Sequence, residues 1–188
     1  DASGNTVASE FRVNTYTTGG QAYNGEVSST GLSNGNFVIT WAGQGSGDTL
    51  GVWGQLYDSS GNTLGLNYRY NDTTSEGQSD PAISALANGK FVVTWTSAHS
   101  DGLDGVDLYG RIWTTTGSDS NPTPGAEFLI NSFSTGGQQQ SAVTSLSGGG
   151  FVVTWQSPQQ DGSGYGIFGQ RFDGIGNKIG SEFQINTT

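Results

Sequence analysis

Two groups of residues in this 188-residue chain have the types and spacing to do chemistry. The first group is acidic. Ser100-Asp-Gly-Leu-Asp-Gly-Val-Asp107 sets Asp101, Asp104 and Asp107 three apart among glycines. A hard cation such as calcium takes about six to eight oxygens from carboxylates and carbonyls, and glycine lets a loop wrap tightly around it. A related loop, Asp161-Gly-Ser-Gly-Tyr165, adds Asp161, and Gly45-Ser-Gly-Asp48 is its counterpart earlier in the chain. The candidate metal residues are therefore Asp101, Asp104, Asp107 and Asp161. The spacing is not that of an EF-hand, and the alternative is solvated hairpin tips using Asp-Gly turn chemistry.

The second group is aromatic. Trp53, Tyr109 and Phe168 recur at one phase, with Gln55, Arg111 and Gln170 two residues on. A ring that stacks on the C–H face of a sugar, beside an amide or guanidinium that reads hydroxyls, is the pattern of a glycan site. These six residues are the candidate ligand-binding set. The alternative is packing between sheets, with Gln or Arg bonded to backbone. Trp41, Trp95 and Trp155 fall at an inward phase and are assigned to the core.

Other chemistries are excluded by composition. The chain has no Cys, so thiolate metal sites, disulfides and a Cys nucleophile are impossible. It has one imidazole, His99, and no phosphate-binding Gly-x-x-x-x-Gly-Lys loop. Nothing in the sequence brings two particular acids together for glycoside hydrolysis. The expectation is a chain without enzymatic activity. With 6 Lys+Arg against 16 Asp+Glu, the net charge of −10 argues against nucleic acid and anionic membranes as partners. No stretch is long and apolar enough for membrane insertion.

The elements that must carry these residues are repeats. Phe37-Val-Ile-Thr-Trp41 returns as Phe91-Val-Val-Thr-Trp95 and Phe151-Val-Val-Thr-Trp155. The aromatic-Gly-Gln cassette follows each, as Val52–Asp58, Leu108–Thr114 and Ile167–Asp173. A third cassette occurs four times: Glu10-Phe-Arg-Val-Asn14, Asn67-Tyr-Arg-Tyr-Asn71, Glu127-Phe-Leu-Ile-Asn131 and Glu182-Phe-Gln-Ile-Asn186. An apolar segment precedes each Phe-x-x-Thr-Trp. Residues 1–14 match residues 173–186 at seven of fourteen positions, which sets a period of about 57 residues.

Alternation of large and small apolar residues, with β-branched and aromatic enrichment, predicts strands rather than helices. We name them A (Glu-Phe-x-x-Asn), B (the apolar segment), C (Phe-x-x-Thr-Trp) and D (aromatic-Gly-Gln). Asn34-Gly35, Asn88-Gly89 and Gly148-Gly149 predict B–C hairpins. Asp58-Ser-Ser-Gly61 and Asp173-Gly-Ile-Gly176 predict type I turns ending in a left-handed glycine, and Thr115–Ser118 takes the same place in the second repeat. The expected fold is all-β: three four-stranded antiparallel units, like the blades of a β-propeller, in a single domain over 1–188. The alternatives are a three-sheet prism and a stacked-sheet array. The units run about 10–66, 67–126 and 127–181. A is counted four times against three for B, C and D, so one A strand is surplus, placed at 182–188. Its open edge would suit strand exchange with a second copy.

The string Phe151-Val-Val-Thr-Trp-Gln-Ser-Pro-Gln-Gln-Asp-Gly-Ser-Gly-Tyr-Gly-Ile-Phe-Gly-Gln-Arg-Phe-Asp173, followed by Gly180-Ser-Glu-Phe-Gln-Ile-Asn186, resembles a repeat found in tandem in large secreted bacterial proteins, adhesin-like and often bearing RTX-type calcium repeats. The first repeat departs from it, with a longer B segment and no Asp-Gly pair in the C–D loop. The resemblance implies an extracellular or cell-surface location and a role in adhesion. The expected function is a binding module for glycans or cell-surface polymers with calcium support. A structural subunit joined to copies of itself through edge strands is the alternative.

Overall fold

Turn chemistry sets the connectivity. Asp58 Oδ1 accepts from the backbone N–H groups of Ser60 (2.9 Å) and Asn62 (2.8 Å), while Asn62 Nδ2 donates to Asp58 Oδ2 at 2.8 Å. Asp173 and Asn177 repeat the arrangement. Gly61 and Gly176 close these turns at φ 85° and 93°, a region glycine enters at no steric cost. Each such turn reverses strand D directly into the next A cassette. The computed structural model describes residues 3, 9–21, 27–74, 76–98, 105–115 and 121–187.

Twelve strands result: β1 (Val27–Gly31), β2 (Phe37–Gly45), β3 (Asp48–Tyr57), β4 (Thr63–Arg69), β5 (Gln78–Ala85), β6 (Lys90–Ser97), β7 (Asp107–Thr114), β8 (Thr123–Leu129), β9 (Gln139–Ser145), β10 (Phe151–Pro158), β11 (Tyr165–Phe172) and β12 (Lys178–Gln184). They form three four-stranded antiparallel sheets, each a meander in chain order: β1–β4, β5–β8 and β9–β12. No helix occurs among the described residues. The sheets pack face to face, most closely at their first strands β1, β5 and β9, and separate toward the last strands. This fan is blade-like, as the repeat arithmetic expects.

The phase of the sheets differs from the expected units. Every sheet starts at cassette B and ends with the A cassette of the following repeat. The segment 182–188 is therefore not surplus. β12 pairs with β11, Phe168 opposite Gln184 and Gly169 opposite Phe183. The A copy left outside the sheets is the first, Glu10–Asn14, which forms no strand. The physical reason is local. A five-residue Asp-to-Asn turn makes D and the next A a hairpin, whereas the longer A-to-B connection crosses to the next sheet.

Two cores lie between the sheets. Val38, Val52, Leu56 and Tyr70 of sheet 1 meet Ile83, Phe91, Val93, Trp95 and Trp113 of sheet 2. Val92, Leu108, Ile112 and Ile130 on the other face of sheet 2 meet Phe151, Val153, Trp155, Phe168 and Phe172 of sheet 3. Sheet 2 is thus covered on both sides, and Val92 and Val93, on opposite faces, are both fully buried.

Candidate functional site

The C and D strands of each sheet pair in register so that their aromatic residues stand side by side. Trp41 lies opposite Trp53, Trp95 opposite Tyr109 and Trp155 opposite Phe168. At the first of these pairs a pocket of about 230 Å³ opens, lined by Tyr16, Gln21, Trp41, Gln44, Trp53 and Asn67 among others. A second pocket of about 150 Å³, lined by Gln78, Trp95, Tyr109 and Glu127 among others, sits at the same phase one repeat on. Gln21 corresponds to Gln78, Trp41 to Trp95, Trp53 to Tyr109 and Asn67 to Glu127.

Each wall residue has a definable cause. Trp53 is held by its indole N–H donating to the Gly43 carbonyl at 3.0 Å. Asn67 accepts from the Thr15 backbone N–H at 3.0 Å and donates to Gln55 Oε1 at 2.7 Å. Glu127 accepts from the Asp72 backbone N–H at 2.7 Å, and Glu182 accepts from Ser132 at the equivalent place. The first residue of each later A cassette thus caps the backbone just beyond the preceding A cassette. Opposite charges on neighbouring strands can pair directly across a sheet. Glu127 does lie opposite Arg111, but Arg111 makes its ion pair with Asp72. At the third phase Glu182 also accepts from Gln160 Nε2 at 2.9 Å.

Two polar atoms in the first pocket stand out. The indole nitrogen of Trp41 and the side-chain oxygen of Gln21 are buried and have no hydrogen-bond partner among the described residues. Both residues line the cavity. One is a donor and the other an acceptor, so together they match a group that both gives and takes a hydrogen bond, which is what a hydroxyl does.

The predicted ligand set divides. Trp53 and Tyr109 line the two pockets. Phe168 is 5 % exposed and belongs to the second core. Gln55 and Gln170 are fully buried, and neither amide is placed to read a ligand. Gln55 Nε2 donates to the carbonyls of Leu56 and Leu64, and Gln170 Nε2 to those of Arg171, Ile179 and Gly180. The reason lies in the ladder. The D–A register slips at this residue in sheets 1 and 3, where the side chain satisfies carbonyls that the bulge leaves over, whereas in sheet 2 the slip falls one residue later, at Ile112. Arg111 departs from this pattern. It reaches into sheet 1, donating from Nη1 to the Tyr70 carbonyl at 3.0 Å and pairing through Nη2 with Asp72.

Of the four predicted metal residues, Asp107 and Asp161 are among the described residues. Asp101 and Asp104 lie outside the described residues, as do His99 and residues 116–118. Asp107 is 4 % exposed and accepts from Asn131 Nδ2 at 2.6 Å. Asp161 accepts from the Ser163 N–H and from Gln184 Nε2. Among the described residues no three His, Asp or Glu side chains are placed to hold a metal ion.

The sequence reading missed two kinds of residue. Trp41 and Trp95, assigned wholly to the core, supply a pocket wall as well. The glutamines were missed too, although the pattern was there to find: Asn14-x6-Gln21, Asn71-x6-Gln78 and Asn131-x6-Gln138. The asparagine of this pattern latches the joint. Asn71 Oδ1 accepts from the Val52 N–H, and its Nδ2 donates to Asp48, Gln78 and the Thr73 carbonyl. Asn131 does the same with Leu108, Asp107, Gln138 and Phe133.

No family model matches the chain, and no curated protein matches it. Among solved structures it is similar to the crystal structure of an endo-arabinase from Bacteroides thetaiotaomicron VPI-5482, with a TM-score of 0.45 and 15% sequence identity. The likeness covers 76% of this chain and 54% of that one, so the chain spans about half the length of that protein. The expectation of a chain without enzymatic activity is corrected at this point. The solved chain it is similar to is an enzyme's, and the exclusion of catalysis is withdrawn.

Proposed function

We propose that this protein binds neutral glycans, with one sugar residue seated between Trp41 and Trp53 in the first pocket and a second, weaker seat at Trp95 and Tyr109. The observation that carries this reading is that two residues lining the first pocket, Trp41 and Gln21, hold a buried donor and a buried acceptor without a partner among the described residues. A sugar hydroxyl offers both a donor and an acceptor, and the Trp53 ring offers an apolar face to the sugar's C–H groups. Neutral rather than acidic glycans fit a chain of net charge −10. Two seats at one repeat phase gain avidity on a polymeric ligand without any new contact. The setting we propose is extracellular, at a cell surface.

The test is titration of the protein with a panel of neutral and acidic oligosaccharides, followed by tryptophan fluorescence and calorimetry. Binding of a neutral member, lost in Trp53→Ala and weakened in Trp41→Phe, is expected. If no member binds, or if Trp53→Ala binds as well as the parent, the reading fails.

A further inference from the structure

Sheets 1 and 2 each bury one face against the sheet that follows, and sheet 3 carries the same face uncovered. Val52 and Leu108, equivalent on the D strands, are fully buried, whereas Ile167 at that position is 40 % exposed. Tyr70 and Ile130 are 1 % and 0 % exposed, whereas their counterpart Ile185 is 46 % exposed. Ile179 and Phe183 are similarly open. Phe183 lies opposite Gly169 and Ile179 opposite Arg171, so these side chains share the Ile167 face. β10 shows the same asymmetry. Phe151, Val153, Trp155 and Ser157 are buried, and Val152, Thr154 and Gln156 between them are only half-buried. A contiguous apolar face of this kind marks an interaction surface.

The protein's own joints show what covers such a face: the Phe-x-x-x-Trp side of another repeat. Sheet 1 presents that side, with Phe37 and Ile39 half-buried. Among the described residues it is approached by the chain from Glu10 to Gln21, with Val13, Asn14 and Gln21 beside Ile39 and Trp41. Phe11 rests on Tyr57 with ring centroids 5.3 Å apart, as Phe128 rests on Phe172 at 5.5 Å and Tyr68 on Trp113 at 6.2 Å. Tyr57 also donates its hydroxyl to the Val13 carbonyl at 2.8 Å. The segment therefore stands where the last strand of a preceding sheet would stand. Residues 173–186 match residues 1–14 at seven of fourteen positions, so β12 has the side chains to take its place.

We propose that the Ile167–Ile179–Phe183–Ile185 face of one copy docks on the Phe37–Ile39–Trp41 face of a second copy, with Phe183 taking the place of Phe11. The joint continues the two established inter-sheet interfaces. It is made through sheet faces, not by strand exchange at an edge. The contact is heterologous, and such contacts close into rings when the rotation allows. Propeller rings hold roughly four to eight blades. Two copies of the three sheets formed by the described residues supply six, so the closed form is a dimer in which each sheet 3 covers the other copy's sheet 1. Arg171, where Leu56 and Ile112 stand internally, offsets some of the repulsion between two chains of charge −10. Moderate salt screens the rest and favours the pair.

The experiment is sedimentation equilibrium of the full chain over a wide concentration range at moderate ionic strength, with two variants. The parent is expected to reach twice the chain mass of 19.5 kDa. Ile167→Lys, at a surface position, is expected to stay monomeric with an unchanged β-sheet spectrum, although it reduces the magnitude of the −10 net charge by one. Phe11→Ala, which loosens the segment now on sheet 1, is expected to dimerise at lower concentration. A parent that is monomeric throughout overturns the proposal, as does an Ile167→Lys variant that still dimerises. A mass that grows past two copies overturns the closed ring. Ile167→Lys leaves every residue lining the Trp41–Trp53 pocket unchanged, and the mass is read without any glycan present, so the two tests fail separately.

Discussion

Trp41 and Trp53 are register partners across the first C–D hairpin, and the same pairing recurs as Trp95 with Tyr109 and Trp155 with Phe168. A paired position brings side chains close on one face of a sheet. One repeated pair of residue types therefore serves two purposes. Trp95 and Trp155 fill the cores, Trp95 lining the second pocket as well, while the first pair, with the fan open beside it, lines the first pocket.

That division predicts opposite balances for two truncations. Trp95 is 1 % exposed within the first core, so Trp95→Ala is expected to cost about 3–5 kcal/mol of stability. Trp53→Ala removes a pocket wall and a hydrogen bond to Gly43, and is expected to lower glycan affinity more than it lowers stability. Urea denaturation and calorimetric titration of both variants check this.

The Asn latch predicts a buried polar penalty. Asn131 is fully buried, and its side chain joins the start of β7 to the connection between sheets 2 and 3. Asn131→Ala leaves the Leu108 N–H and the Asp107 carboxylate short of a partner, at a cost of about 1–3 kcal/mol. The denaturation midpoint should fall accordingly, and Asn131→Asp should not restore it, because a second carboxylate then faces Asp107.

Arg111 separates a buried contact from an exposed one. Its guanidinium is buried, but the Asp72 side chain is 68% exposed, and an ion pair that reaches solvent is worth roughly 0–1 kcal/mol. Asp72→Ala is therefore expected to be nearly silent. Arg111→Met removes the donor to the Tyr70 carbonyl between the sheets and is expected to cost about 1–3 kcal/mol. Thermal melts of the two variants distinguish the contributions.

Acid sensitivity follows from the D–A turns. The Asn62 and Asn177 amides, aided by backbone N–H groups, hold the Asp58 and Asp173 carboxyls below their ordinary value of 3.8. The folded state favours the charged form, so in acid the unfolded chain binds more protons. The resulting stabilisation is whole above about pH 4 and fades as pH falls through the lowered values. Denaturation midpoints should drop between about pH 6 and about pH 3. Part of that drop should vanish in Asp173→Asn.

Much of the architecture can be read without coordinates, because its causes are local. Alternation in Phe37-Val-Ile-Thr-Trp41, left-handed glycines after Asp58 and Asp173, and threefold recurrence define strands, hairpins and four-stranded units one residue at a time. Even the correct phase was present in the turns, since an Asp-to-Asn reversal after D makes the next A its hairpin partner. The destination of the polar side chains required the assembled sheets. Gln55 and Gln170 look like ligand readers in a string of letters, but a bulge on the neighbouring strand leaves carbonyls that only their amides reach. Arg111, at the same phase, turns instead toward a different sheet. The pocket is likewise a product of packing. Trp41, Trp53, Gln21 and Asn67 come from four separate stretches of chain, and their meeting depends on how the A-to-B connection crosses the fan. The open face of sheet 3 is decided there too. The apolar residues that vanish into a joint at Val52 and Leu108 remain at the surface at Ile167, because burial is set by what packs against a strand and not by the strand's own sequence.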